Sequence, residues 1–404
     1  MKIGVLTYHC VPNFGAQLQS LSTIGCIKRM GHTPVLLHWY PKDLERLYSR
    51  VVPPKQITCQ MRFAEEVFPL SIMCRNERQL IKEIERQQLD LIVTGSDALF
   101  KYVPLCDRRR EFSKRRLRYV NNYVSCETLE GNPFFCDYYD ELSRQIPVVA
   151  FSVSSQSCPY YKMTEGEREE MGRHLRNFAC ITVRDHWTKQ MVEEVSGLKD
   201  IQVSPDPVFA FNTNCYIPIP TKEDLSSRFS LPDHYALFSF PKGVVSLDYL
   251  HELGNILLQR GITPIALTEP EGLGDVAFSY KIDLPLTPID WYALIKNADA
   301  YIGLRMHPII VSLHNSTPFY SFDGNGVSDT LTGTFLPQSS KIYDILKEAN
   351  FLDNTYMLRS RNQVPDCNHV IELIMEFDKG RCMEFSNRMN QVYKKAFSSI
   401  ILSV

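Results

Sequence analysis

The chain has 404 residues, more than one hydrophobic core usually fills, and its balance of 44% hydrophobic and 22% charged residues is that of a folded protein. A formal net charge of -2 supplies no global attraction to nucleic acid, and no zinc-finger, RNP-like or basic-zipper pattern occurs, so nucleic acid is not an expected partner. The opening MKIGVLTYH carries one lysine and a short apolar run broken by Tyr8 and His9, which reads as a first strand and not a signal peptide, and no later run reaches the roughly 18 apolar residues of a membrane span. A soluble, cytoplasmic protein is the expectation.

Strands are predicted at residues 3–8, 34–39, 91–94, 148–153 and 181–184, with helical spacing at 16–30, 165–178 and 186–195. Short apolar runs alternating with amphipathic ones imply a parallel sheet covered by helices. This first domain, residues 1–215, contains an insertion at about 101–146. Within it DRRREFSKRRLR, residues 107–118, carries seven basic residues against two acidic ones; it suits a solvated loop, or a patch that meets anionic lipid headgroups or a phosphorylated substrate.

The segment 212–232 holds three prolines and polar clusters and no clear strand, as an interdomain linker would. A second series follows over 216–380, with strands at 235–240, 264–267, 300–304 and 319–322 and helices at 246–259 and 289–297. Residues 381–404 contain a helical run, 384–401, long enough to cross back over the first domain. The predicted class is α/β, two Rossmann-like domains. Twelve cysteines are scattered without a C-x-x-C pair or a zinc-like Cys/His spacing, so reduced, mostly buried thiols are expected, and the His9–Cys10 pair is read as incidental.

Candidate site residues cluster where predicted strands end. After the first strand, CVPNFGAQLQ places Asn13, Gly15 and Gln17 before a helix, and Gly15 lets backbone approach a ligand closely. There is no G-x-G-x-x-G, no acidic residue in His38-Trp39-Tyr40 for a ribose, and no Walker sequence, which disfavours dinucleotide and P-loop chemistry. TGSD at 94–97 offers Ser96 and Asp97, with an ordinary helix cap as an equal alternative. FSVSSQS lacks the nucleophile elbow of serine hydrolases. ITVRD puts Arg184 at a strand end, either ion-paired locally or aimed into a cleft, with Asp185 as a helix cap. In GLRMHPIIVSL, Pro308 fits the first position of a helix, so Arg305 and His307 lie between a strand's carboxyl end and a helix N-terminus. Unsatisfied N–H groups there favour an anion, arginine adds a bidentate fork, and histidine can move a proton. His314, two turns on, is read as a core or surface residue.

Taken together, KIGVLTYH with NFGAQLQ, DLIVTGSD, NPFF at 132–135, PVVAFSVSSQS, ITVRD, SPDPVF at 204–209, GLRMH and TPFYSFDG resemble, in order, the polysaccharide pyruvyl transferase family. The resemblance implies a GT-B-type fold, with the 381–404 helix returning to the first domain, and transfer of the enolpyruvyl unit of phosphoenolpyruvate to a sugar as a cyclic ketal. It implies that Arg184, Arg305 and His307 hold phosphoenolpyruvate, the co-substrate, with no further cofactor and no metal. His307 is the expected acid or base and Asp97 the group that activates the acceptor hydroxyl, with Asn13, Gly15, Gln17 and Ser96 on the acceptor side. The acceptor is expected to be a glycan, met on an undecaprenyl carrier at the inner membrane face, where the basic segment would find a use. The chain departs from the family's pattern at Ala98, Leu99 and Phe100, where Gln and Trp often follow GSD, and at Ser155 or Gln156, where a glycine often stands. A GT-B glycosyltransferase using a nucleotide sugar and a noncatalytic glycan-assembly scaffold are the alternatives.

Overall fold

The computed structural model describes residues 1–113, 118–275, 277–328, 332–360 and 363–402. In chain order the first half runs β1 (Lys2–Leu6), α1 (Phe14–Arg29), β2 (Thr33–Leu36), α2 (Lys42–Val51), α3 (Pro54–Val67), α4 (Glu77–Gln87) and β3 (Leu91–Thr94). The hairpin β4 (Arg110–Ser113) and β5 (Arg118–Asn121) follows, then β6 (Val148–Val153), α5 (Glu165–Leu175), β7 (Cys180–Val183), α6 (His186–Ser196) and β8 (Gln202–Val203). β1, β3 and β6 are buried almost throughout, as strands covered by helices on both faces must be. The sheet order is β2-β1-β3-β6-β7-β8, with every pairing parallel.

The second half begins with α7 (Phe211–Asn214) and α8 (Lys222–Phe229), then β9 (Tyr235–Ser239), α9 (Leu247–Gln259), β10 (Thr263–Leu267), β11 (Lys281–Ile282) and α10 (Pro288–Lys296). It continues through β12 (Ala300–Gly303), α11 (Met306–Asn315), β13 (Phe319–Asp323), the hairpin β14 (Val327–Ser328) with β15 (Phe335–Leu336), α12 (Lys341–Glu348), β16 (Thr355–Met357), α13 (Cys367–Met375) and α14 (Lys379–Leu402). Its parallel sheet runs β11-β10-β9-β12-β13-β16. Both sheets therefore reverse direction beside their first strand, and ligands of open α/β sheets sit at the carboxyl ends of the strands flanking such a point.

Apolar packing joins the halves. Phe14 of α1 lies 5.3 Å, ring to ring, from Trp291 of α10. The terminal helix α14 returns to the first sheet, where Tyr393 and Phe397 meet Phe151 of β6 at 5.4 and 4.9 Å. A single apolar cluster runs through all three regions.

Several expectations change. The segment 212–232 is not plain linker: α8 sits inside it, closed by a capping box in which Thr221 accepts from the Asp224 N–H and Asp224 accepts from Thr221 N–H. The helix after β1 starts at Phe14, two residues early, because Asn13 Oδ1 accepts from the Ala16 N–H and so caps it. All twelve cysteines are free. No described helix is long and apolar enough to cross a membrane. Residues 114–117 of the basic segment lie outside the described residues.

Candidate functional site

The loops at both switch points face one another across a cleft of about 320 Å³. From the first half come Tyr8 and the residues Asn13, Phe14 and Gly15 after β1, Tyr48 of α2, and Asp97 and Lys101 after β3. The second half contributes Glu269 and Glu271 after β10, Arg305 and His307 after β12, and Lys341 at the start of α12.

His307 is buried. It is the second residue of α11, so Arg305 is the cap and Pro308 the third helical residue, not the first. Proline remains compatible there, because none of the first four N–H groups of a helix has an intrahelical partner. The ring lies against the N-terminus of α1: a Cβ on Gly15 would come within 2.0 Å of it. Two helix N-termini, both favouring negative charge, thus converge on one imidazole. Burial pushes His307 down to about 4, with Asp97 and Asp206 opposing that shift and Arg184 and Lys341 adding to it. The ring is therefore neutral near pH 7, and its buried Nε2 has no hydrogen-bond partner.

Behind His307 lies an ion cluster. Arg184, at the end of β7, donates from Nη1 to Asp206 Oδ2 at 2.8 Å, and its Nη2 stands 3.8 Å from Asp97 Oδ1. Asp206 also accepts from Gln19 Nε2 at 2.6 Å. Arg184 does not pair with Asp185, whose Oδ1 caps α6 by accepting from the Thr188 N–H. Nor does Arg184 line the cleft as expected of a second arginine aimed into it. It lines an adjoining cavity of about 230 Å³ that shares Met306 with the cleft. Its Nε and Nη2 are buried without a hydrogen-bond partner.

Arg305 is the opposite case. Its side chain is 47% exposed and forms one ion pair, Nη2 to Glu271 Oε1 at 3.2 Å, with Glu269 acting on it from nearby. Glu269 nearby accepts from Ser239 Oγ at 2.6 Å, and burial raises its carboxyl to about 7.

Asp97 reaches the cleft through an unusual backbone rather than through a helix cap, since no helix begins at TGSD. Its φ is 105° and that of Gly95 is 143°. A side chain at Gly95 would strike the Phe151 carbonyl at 2.0 Å, so glycine is required there. The loop is pinned to β6 by Ser154 N–H donating to Asp97 O at 2.8 Å.

Two residues assigned to the acceptor side do not line the cleft. Gln17 is buried and donates from Nε2 to the His9 and Gln60 carbonyls at 3.2 and 3.3 Å, tying α1 to α3. Ser96 is buried and donates to the Ser152 carbonyl at 2.6 Å. Both side chains point into the interior because their neighbours, Gly15 and Asp97, take the cleft-facing positions. The serines of FSVSSQS are also structural: Ser152 Oγ donates to the Ser204 and Pro205 carbonyls, and Ser154 Oγ to Asp185. His314 belongs to the core, with both ring nitrogens buried and unpartnered.

The sequence reading missed Asp206, Lys341 and Glu269. Asp206 lay inside SPDPVF, between two prolines, a turn sequence with no apolar period to mark it. Glu269 stands two residues past the strand predicted at 264–267, a signal close to the one that pointed to Arg305. Lys341 opens a helix after two serines and carries no such mark.

Solved structures share the architecture. Arabidopsis thaliana UGT89C1 complexed with UDP-L-rhamnose is 9% identical over 98% of this chain and 95% of that one, with a TM-score of 0.54. The same protein complexed with quercetin is 10% identical over 100% and 98%, at 0.52. The spinosyn rhamnosyltransferase SpnG complexed with spinosyn aglycone is 10% identical over 99% and 100%, at 0.51. These likenesses show the two-domain GT-B-type fold. No curated protein matches the sequence. Residues 13–326, which contain every cleft residue named above except Tyr8 and Lys341, match the family described as polysaccharide pyruvyl transferase, and the chain belongs to that family.

Proposed function

We propose that this protein transfers the pyruvyl unit of phosphoenolpyruvate to a sugar of a cell-surface polysaccharide or its lipid-linked precursor, forming a pyruvate ketal. One observation supports it most: His307 Nε2 is buried and unpartnered in a cleft whose mouth carries Arg305. Such an atom costs about 1–3 kcal/mol unless something fills its hydrogen-bonding need. An anion would satisfy it, and the N-termini of α1 and α11 favour one.

In this reading the acceptor hydroxyl's proton passes through His307 to the methylene carbon of phosphoenolpyruvate, and C2 becomes oxocarbenium-like. A sugar hydroxyl oxygen bonds to C2 and gives up its proton, and the C2–O bond to phosphate breaks with its electron pair leaving on phosphate. The second hydroxyl then closes the ketal and loses its own proton. His307, neutral near pH 7 because burial lowers it to about 4, is built to accept a hydroxyl proton. Burial by itself makes the ring a weak base; a bound polyanion offsets that by stabilising the imidazolium, so the same ring can take a proton and pass it on. Asp97, at the cleft wall, orients the acceptor hydroxyl, and Arg305 steadies the departing phosphate, a role commonly worth several kcal/mol.

The test is a thermal-shift titration of the full chain, since a ligand that binds only the folded state raises Tm. Phosphoenolpyruvate is expected to raise it, and Arg305→Ala to abolish that rise. A rise with UDP-sugars alone would instead place the protein among nucleotide-sugar transferases.

A further inference from the structure

Lys341 is the first residue of α12, and its position is fixed from two sides. The cap residue Ser340 accepts at Oγ from the N–H groups of Ile342 and Tyr343 and donates to Asp323 Oδ2. Asp323 ends β13, so the start of α12 is fastened to the carboxyl edge of the second sheet. From there the lysine side chain enters the same cleft as Arg305, His307 and Asp97.

The cations of the cleft differ in one respect. Arg305 is paired with Glu271, and Lys101 with Glu127. Lys341 makes no side-chain hydrogen bond and no ion pair within 4 Å among the described residues. Arg184, Asp97, Asp185 and Asp206 act on it across the gap from the first half, and His307 faces it from α11. Burial, with help from Arg184, lowers the ammonium to about 8 against the pull of those carboxylates. The residue is half-buried, so its ammonium faces the open cleft with three donors that no described residue takes.

We propose that Lys341 is a donor-binding residue, a cation that contacts an acidic group of the substrate in the cleft it shares with Arg305. The assignment rests on the reading of the donor as phosphoenolpyruvate, whose carboxylate and phosphate are two separate acidic groups. Arg305 stands at the β12–α11 turn and Lys341 at the start of α12, so the two come from different elements of one half. Arg184, which the resemblance nominated as the second cation, is already engaged by Asp206 and does not line this cleft.

The experiment is phosphoenolpyruvate affinity of the full chain, by calorimetry or thermal shift, for wild type, Lys341→Met and Lys341→Arg between pH 7 and 10. A charge-assisted hydrogen bond is worth about 1.5–3 kcal/mol, so Lys341→Met should bind roughly ten- to a hundredfold more weakly at pH 7. Wild-type affinity should fall as pH rises past about 8, a range in which the ligand itself no longer titrates, its phosphate having ionised near pH ~6. Lys341→Arg should keep the affinity and lose the fall. A merely structural lysine would not produce that flattening. Unchanged binding by Lys341→Met, or the same alkaline fall in Lys341→Arg, would overturn the assignment. Should Lys341→Met not fold, the pH profile of Lys341→Arg decides by itself. Absence of any wild-type binding, by contrast, would overturn the reading of the donor.

Discussion

The two arginines at the strand ends carry the same charge in opposite settings. Arg184 has a side chain only 3% exposed and is ion-paired with two carboxylates, while Arg305 is 47% exposed and is ion-paired with one, Glu269 acting on it from further off. Burying a guanidinium is tolerable only inside a network, and in exchange Asp97 and Asp206 are held at fixed places beside His307. An exposed pair such as Arg305–Glu271 costs little to break, which suits a group that must change partners when an anion arrives. The comparison separates what builds the site from what meets the ligand.

Breaking the first arginine should have the largest effect on stability. Arg184→Met leaves Asp97 and Asp206 buried without their counter-ion, for which losses of about 3–5 kcal/mol are typical. Arg305→Ala should change stability by less than about 1 kcal/mol while removing donor binding. Chemical denaturation of both variants beside phosphoenolpyruvate titration checks the pair of outcomes. Equal destabilisation by the two substitutions would contradict the division of labour.

A smaller effect is expected at the contact that joins the halves. Gly15→Ala drives a methyl group to within 2.0 Å of the His307 ring, and overpacking of this kind costs about 1–3 kcal/mol. The ring would have to leave its place between the two helix N-termini, so turnover should fall with stability. A double-mutant cycle sharpens the point: in a His307→Ala background, Gly15→Ala should cost almost nothing. An undiminished cost there would mean that Gly15 serves the backbone of α1 and not the ring.

Much of this was legible in the sequence because strand ends are. Arg184, Arg305, His307 and Asp97 all follow short apolar runs, and the alternation of those runs with helical periods gave two parallel sheets. What escaped follows from what periodicity reports. Edge strands of two or three residues, such as β8, β11 and β16, are too short to show alternation. No element is predicted between 40 and 90, where α2 and α3 begin after Pro41 and Pro53 without a side-chain cap, although Asn76 caps α4. Gln17 and Ser96 were assigned to the acceptor by proximity in sequence. Ser96 and Asp97 are adjacent in a loop and Gly15 and Gln17 lie two apart on one helix, and only the fold shows that Gly15 and Asp97 hold the cleft side. The role of Gly15 depends on a side chain 292 positions away, a contact that no local pattern encodes.

The smallest expected effect contrasts two histidines on one helix. Burial lowers both His307, to about 4, and His314, to about 3, yet only His307 reaches the cleft. In the unfolded chain each titrates near its ordinary value of about 6.5. Between that value and the lowered one the unfolded state binds a proton that the folded state refuses, so stability is complete above about pH 6.5 and declines as pH falls. The slope is about 1.4 kcal/mol per pH unit for each such residue. His314→Leu, which also removes two buried unpartnered nitrogens, should therefore flatten the acid limb of a Tm-against-pH curve between pH 6.5 and 5 and leave turnover near normal. If the limb keeps its wild-type slope, His314 is charged or hydrated in the folded protein, and the apolar seal between α10, α11 and α14 is less complete than its packing indicates.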